Sequence, residues 1–166
     1  MVLFWSKKYN FFALKNTTLT LLAVMAGHIG DLLRHEITNP VMTSKESPYF
    51  IRQVKRTNKE AKRYRIPSQL LKIKANSITD ESRVLMGYLS DARRGLDIYL
   101  YDDDKQTLLL LMPLADELEK SGFIARVNSW SKERTGKNLA ELDIVIEQQL
   151  ALPISSDDIK RLVTLS

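Results

Sequence analysis

The stretch Leu96-Asp-Ile-Tyr-Leu-Tyr-Asp-Asp-Asp-Lys-Gln-Thr-Leu-Leu-Leu-Leu-Met-Pro-Leu-Ala-Asp-Glu-Leu-Glu-Lys-Ser-Gly122 decides the fold. Its opening alternates: Leu96, Ile98 and Leu100 take turns with Asp97, Tyr99 and Tyr101. That period of two is the signature of a strand. Asp102, Asp103 and Asp104 then form a turn. The segment after the turn has two readings. Leu108, Leu111, Leu114, Ala115 and Leu118 make a helical stripe that ends at Gly122 and is kinked at Pro113. The alternative is a hairpin strand over 107–112 with a short helix starting at Pro113. The kinked helix is the favoured reading.

Upstream, Ser47 is a good N-cap, Pro48 a good first helical residue, and Ile66-Pro67 a stop. Between them Phe50, Val54, Thr57, Ala61 and Tyr64 share one stripe. Arg52, Lys55, Arg56, Lys59, Lys62 and Arg63 share the opposite one. This is an amphipathic helix with a basic ridge. An earlier helix is expected over 18–37, closed by Asn39-Pro40. Leu70, Leu71 and Ile73 suggest a short helix after Pro67. Another starts near Thr79-Asp80, carries Val84, Leu85, Tyr88, Leu89 and Ala92, and ends at Gly95. Phe123–Val127 reads as a strand, Leu142–Ile146 as strand or helix, and Ser156 as the cap of a final helix. The expected class is α+β, mostly helical through the N-terminal two-thirds with a small sheet in the C-terminal part. One domain over residues 1–166 is expected, with 1–15 as an irregular aromatic arm.

The length of 166 residues is that of one ordinary domain. Apolar residues are 44% and charged residues 27%, which excludes disordered, collagenous and multi-pass membrane classes. There is no cysteine, so disulfides, thiolate metal sites and cysteine nucleophiles are excluded. The net charge of +5 is unevenly placed. From Arg52 to Lys74 nine basic residues face the single acid Glu60, a net +8. From Asp97 to Glu119 seven acids face Lys105, a net −6. Such a layout steers partners or pairs with itself. The run Leu19–Ala26 after Lys7, Lys8 and Lys15 has some signal-peptide character, with Val24 and Ala26 as a weak cleavage site. It continues at helical spacing through Ile29, Leu32 and Leu33, and it falls short of a membrane span. A cytoplasmic location is expected, with export the alternative if residues 1–26 act as a signal.

Six cations on one helix face can neutralise phosphates, and Tyr64 can add stacking. The ridge therefore marks Arg52, Lys55, Arg56, Lys59, Lys62, Arg63 and Tyr64 as the candidate binding face for nucleic acid or an acidic protein. The Asp-x-Asp spacing of Asp102 and Asp104 at a strand end is similar to the metal-binding motif of Toprim domains. It raises a metal-dependent phosphoryl-transfer or nuclease-like alternative, although the Glu-Gly pair such a domain needs is missing. His28, Asp31 and His35 lie near one helix face, at a spacing that arises by chance among surface histidines. The phosphate-loop, nucleophile-elbow and dinucleotide signatures are missing.

The run Pro48-Tyr-Phe-Ile-Arg-Gln-Val-Lys-Arg-Thr-Asn-Lys-Glu-Ala-Lys-Arg-Tyr-Arg-Ile-Pro67 resembles the central helix of an uncharacterised gammaproteobacterial family known only as a domain of unknown function. The preceding helix, Tyr88-Leu89 and the Leu111–Phe123 segment fit the same pattern, over about Leu19 to Trp130. That resemblance implies a gene sometimes carried on mobile DNA and a first helix that belongs to the folded domain. It implies no activity or catalytic residue. The leading expectation is a small, soluble, non-enzymatic accessory module without cofactor that binds a macromolecule through the ridge. The alternatives are the Toprim-like fragment and a structural homo-oligomer paired through its aromatic arm.

Overall fold

The computed structural model describes residues 16–34, 41–43, 47–92 and 95–164. The chain divides into two compact units, Met1–Thr38 and Asn39–Ser166. In the first, α1 spans Asn16–Arg34. Leu21, Met25 and Ile29 are exposed along one line of it, while His28 is buried. The expected arm at 1–15 lies outside the described residues.

The second unit runs β1 (Val41–Thr43), α2 (Ser47–Tyr64), β2 (Ser68–Ala75), α3 (Asp80–Ala92), β3 (Ile98–Asp102), β4 (Thr107–Met112), α4 (Glu117–Thr135), β5 (Ile144–Leu152) and α5 (Ser156–Thr164). The five strands form one sheet in the order β1-β3-β4-β2-β5. β1 pairs parallel to β3, and the other pairings are antiparallel. From β2 to β5 the order is strand, helix, strand, strand, helix, strand. This is the split βαβ arrangement of ferredoxin-like folds, with β2 and β4 in the centre.

The α+β class expected from the sequence is the class observed. Three element assignments differ, and β4 differs because a central strand buried on both faces shows no period. Leu70, Leu71 and Ile73 lie in β2, not in a short helix, and Leu108–Met112 form β4, not a kinked helix. β4, covered on both sides, reads as a continuous apolar run with no period to identify it, whereas β2 carries Gln69, Lys72 and Lys74 and alternates from Leu71 to Ala75. Phe123–Val127 belongs to α4, where Phe123 and Val127 stand one turn apart toward the core. The turn from β4 to α4 is made by Leu114, at φ +57. Asp116 then caps α4: its carboxylate accepts from Leu118 N and Glu119 N, and Glu119 accepts from Asp116 N at 2.9 Å. Both halves of a capping box are present.

Side chains alternate across the sheet. Tyr99, Leu71, Ile73, Leu108, Leu110 and Met112 join Leu85 and Leu89 of α3 and Phe123 and Val127 of α4 in one core. Leu70, Leu100, Leu109 and Leu111 are buried on the opposite face, where α2 contributes Phe50, Val54 and Ala61. Asn58 of α2 donates to the carbonyl of Ile154 at 3.0 Å and accepts from its N–H at 2.7 Å, which ties the β5–α5 turn to that helix. The pairing of β2 with β5 shifts register between Lys72 and Ile73, where Glu147 forms a bulge.

Candidate functional site

The β3–β4 hairpin holds the three aspartates. Asp102 Oδ1 accepts from Lys105 N at 3.2 Å, and its other oxygen lies 3.9 Å from Lys105 Nζ. Asp103 Oδ1 accepts from the Tyr101 hydroxyl at 3.0 Å and from Gln106 Nε2 at 2.9 Å. Burial first, and the Asp103 carboxylate second, push the Tyr101 hydroxyl up to about 12, and Arg83 works against that rise. Gln106, at φ +46, closes the loop and is buried. The turn therefore engages both oxygens of Asp102 and Oδ1 of Asp103 with its own atoms, and Asp104 is exposed. No group of three potential ligands that could hold a metal occurs among the described residues. The strand before these aspartates leads through a tight hairpin into β4. A Toprim-like order needs a helix there, so that reading is corrected.

At the other end of β3, the connection from α3 carries the sequence Arg93-Arg94-Gly95-Leu96-Asp97. Asp97 is 2% exposed. Arg126 of α4 donates to the carbonyl of Ala92 at 3.4 Å, which brings a guanidinium to the end of α3. Arg93 and Arg94 lie outside the described residues. No sequence motif marks this connection. Its signal is two adjacent arginines followed closely by a carboxylate, where a helix hands over to a strand. Nearby, Tyr88 of α3 stacks on Trp130 of α4 with ring centroids 3.6 Å apart and planes within 9°, and Arg134 lies 6.0 Å from the Trp130 ring centre. This fixes the two helices against each other.

The predicted ridge is on α2 as read. Arg52, Lys55, Lys59, Lys62, Arg63 and Tyr64 are exposed, and Arg56 is half-buried with Nε 2.9 Å from Glu60. Arg52 lies over the Tyr49 ring at 5.5 Å and Arg63 over the Tyr64 ring at 5.2 Å. The end of the apolar stripe differs from expectation: Tyr64 is 41% exposed because it closes the helix beyond the sheet. Of the histidine group, His28 is buried, and the side chains of Asp31 and His35 lie outside the described residues. No helix among the described residues is long and apolar enough to cross a membrane.

Among curated proteins none matches the chain. The solved structure of a PelD fragment from Pseudomonas aeruginosa PAO1 matches with a TM-score of 0.68 and 24% identity, over 95% of this chain and 57% of that one. A PelD fragment from Pseudomonas aeruginosa PA14 in complex with c-di-GMP matches with the same TM-score and identity, over 95% and 55%. The chain thus spans little more than half the length of those PelD chains, and at this identity the likeness is one of fold. The family model described as the PelD GGDEF domain matches residues 45–164, from just before α2 to the last described turn of α5. That match replaces the resemblance to the uncharacterised gammaproteobacterial family, which rested on residue types that any amphipathic helix shares. It also overturns three functional expectations: the macromolecule-binding accessory module, the nuclease-like fragment and the ligand-free structural oligomer. With the family model covering most of its length, the chain belongs to the PelD GGDEF domain family.

Proposed function

We propose that this domain is a cytoplasmic receptor module for a cyclic guanine dinucleotide. The observation that carries the reading is family membership together with the likeness to a PelD fragment in complex with c-di-GMP. The chemistry of the α3–β3 connection supports it. A guanine edge presents two acceptors, O6 and N7, which an arginine fork meets with two hydrogen bonds. A phosphodiester takes the same fork. Arg126 brings such a fork to the end of α3, and Arg93 and Arg94 follow that helix in the sequence. Binding is favoured over synthesis because the hairpin carboxylates are tied into their own turn. The chain also has no Gly-Gly pair, although the family's name spells one.

The test is isothermal titration of the full chain with c-di-GMP, using GTP as the comparison ligand. Saturable binding of c-di-GMP, weak binding of GTP and at least tenfold weaker binding by Arg94→Ala are expected. No heat and no thermal shift at about a hundredfold excess of c-di-GMP would remove the reading.

A further inference from the structure

We propose that α2 is the face by which this domain lies against an anionic lipid bilayer. Lys55, Lys59 and Lys62 are spaced i, i+4, i+7, which aligns them on one side of the helix. They span about 10 Å of its length. All three are exposed, and no ion pair joins them to an acid among the described residues. The arginines of the same helix are engaged along it: Arg52 on Tyr49, Arg63 on Tyr64, Arg56 on Glu60. A groove of nucleic acid is read by forked donors aimed outward. Here Arg52 and Arg63 lie over aromatic rings of their own helix and Arg56 pairs with Glu60, and beside them runs a row of lysine point charges. Such a row fits a diffuse and laterally mobile set of anions, and a leaflet of acidic headgroups is that kind of surface.

The rest of the unit favours the same orientation. The sheet lies between α2 and α4, so the acids that open α4 (Asp116, Glu117 and Glu119) are on the far side from the lysines. An anionic surface attracts the ridge more strongly than the first turn of α4, which sets the attitude of the domain as well as its affinity. The apolar stripe of α2 is consumed in the core, with Phe50 and Val54 fully buried. The contact is therefore electrostatic, without insertion, and reversible by salt. It is independent of dinucleotide binding.

The test is flotation of the full chain with phosphatidylcholine vesicles and with vesicles containing about 30% phosphatidylglycerol. Binding only to the anionic vesicles, lost at about 0.5 M salt, is expected. Each cation near such a surface is worth about a fivefold gain in partitioning. The triple variant Lys55→Gln, Lys59→Gln, Lys62→Gln should therefore partition about a hundredfold less. Its circular dichroism and c-di-GMP titration should match the parent, because all three side chains are exposed. Three results would overturn the proposal: no anionic preference at low salt, unchanged partitioning of the triple variant, or tighter binding to a short DNA duplex than to the vesicles.

Discussion

At the residue scale, two side chains behave as their surroundings dictate. Lys72 is 5% exposed on a central strand, and its ammonium lies 2.7 Å from Glu147. The Lys72 hydrogen bond holds the Glu147 carboxyl below its ordinary value. A carboxylate depressed in the folded state adds stability above its unfolded value of about 4.3, and that stability is lost as pH falls through the lowered folded value. Glu147→Gln should cost about 1–2 kcal/mol at pH 7, the worth of a hydrogen bond to a charged group reduced by solvent screening at the partly exposed carboxylate. Urea titrations should show the difference from the parent shrinking below about pH 4. Tyr101 has the opposite sign. Its neutral form is favoured, so its contribution is complete below about pH 10 and is lost as pH rises through about 12. Absorbance titration should show a late-ionising component that Tyr101→Phe diminishes by one tyrosine.

Elements were legible where one face meets water. The α2 stripe of Phe50, Val54, Thr57 and Ala61 is buried as its spacing predicts, because the basic residues opposite mark the outside. The alternation of β3 was legible because Asp97, Tyr99 and Tyr101 take turns with Leu96, Ile98 and Leu100, although Ile98, Tyr99 and Leu100 are all buried. β4 was not: Leu108 to Leu111 are buried on both sides, so nothing polar marks a face, while in β2 the buried Gln69 and Lys72 hid a strand that alternates from Leu71 to Ala75. The site was harder still. The hairpin aspartates drew attention as potential ligands, whereas hydrogen bonds within the turn are their use. The arginines before Asp97 matched no spacing rule and drew none. The capping box of α4 explains why a helix begins just after a strand that the sequence had absorbed into it. Asp116→Ala should lower stability by about 1 kcal/mol, read by chemical denaturation. Leu110→Ala, in the doubly covered strand, should cost about 3–5 kcal/mol.

For the whole molecule, the sheet settles how the two charged segments stand. The α2 ridge and the N-terminal turn of α4 cover opposite faces, so the cations of one do not neutralise the acids of the other. A ligand bound as proposed at the α3–β3 connection would meet elements that share one core. Its binding should raise the melting temperature of the entire Asn39–Ser166 unit in a single transition. The rise should grow with the logarithm of c-di-GMP concentration, as scanning fluorimetry would show.

The bulge at Glu147 has a consequence for life at high concentration. β5 is nine residues long and stands at the end of the sheet, with no strand beyond it among the described residues. A flat edge of that length is a template on which another chain can grow a fibril. The extra residue breaks the edge into two shorter registers and sets a carboxylate at the break. An incoming strand meets a kink and a charged side chain before it has made enough hydrogen bonds to stay.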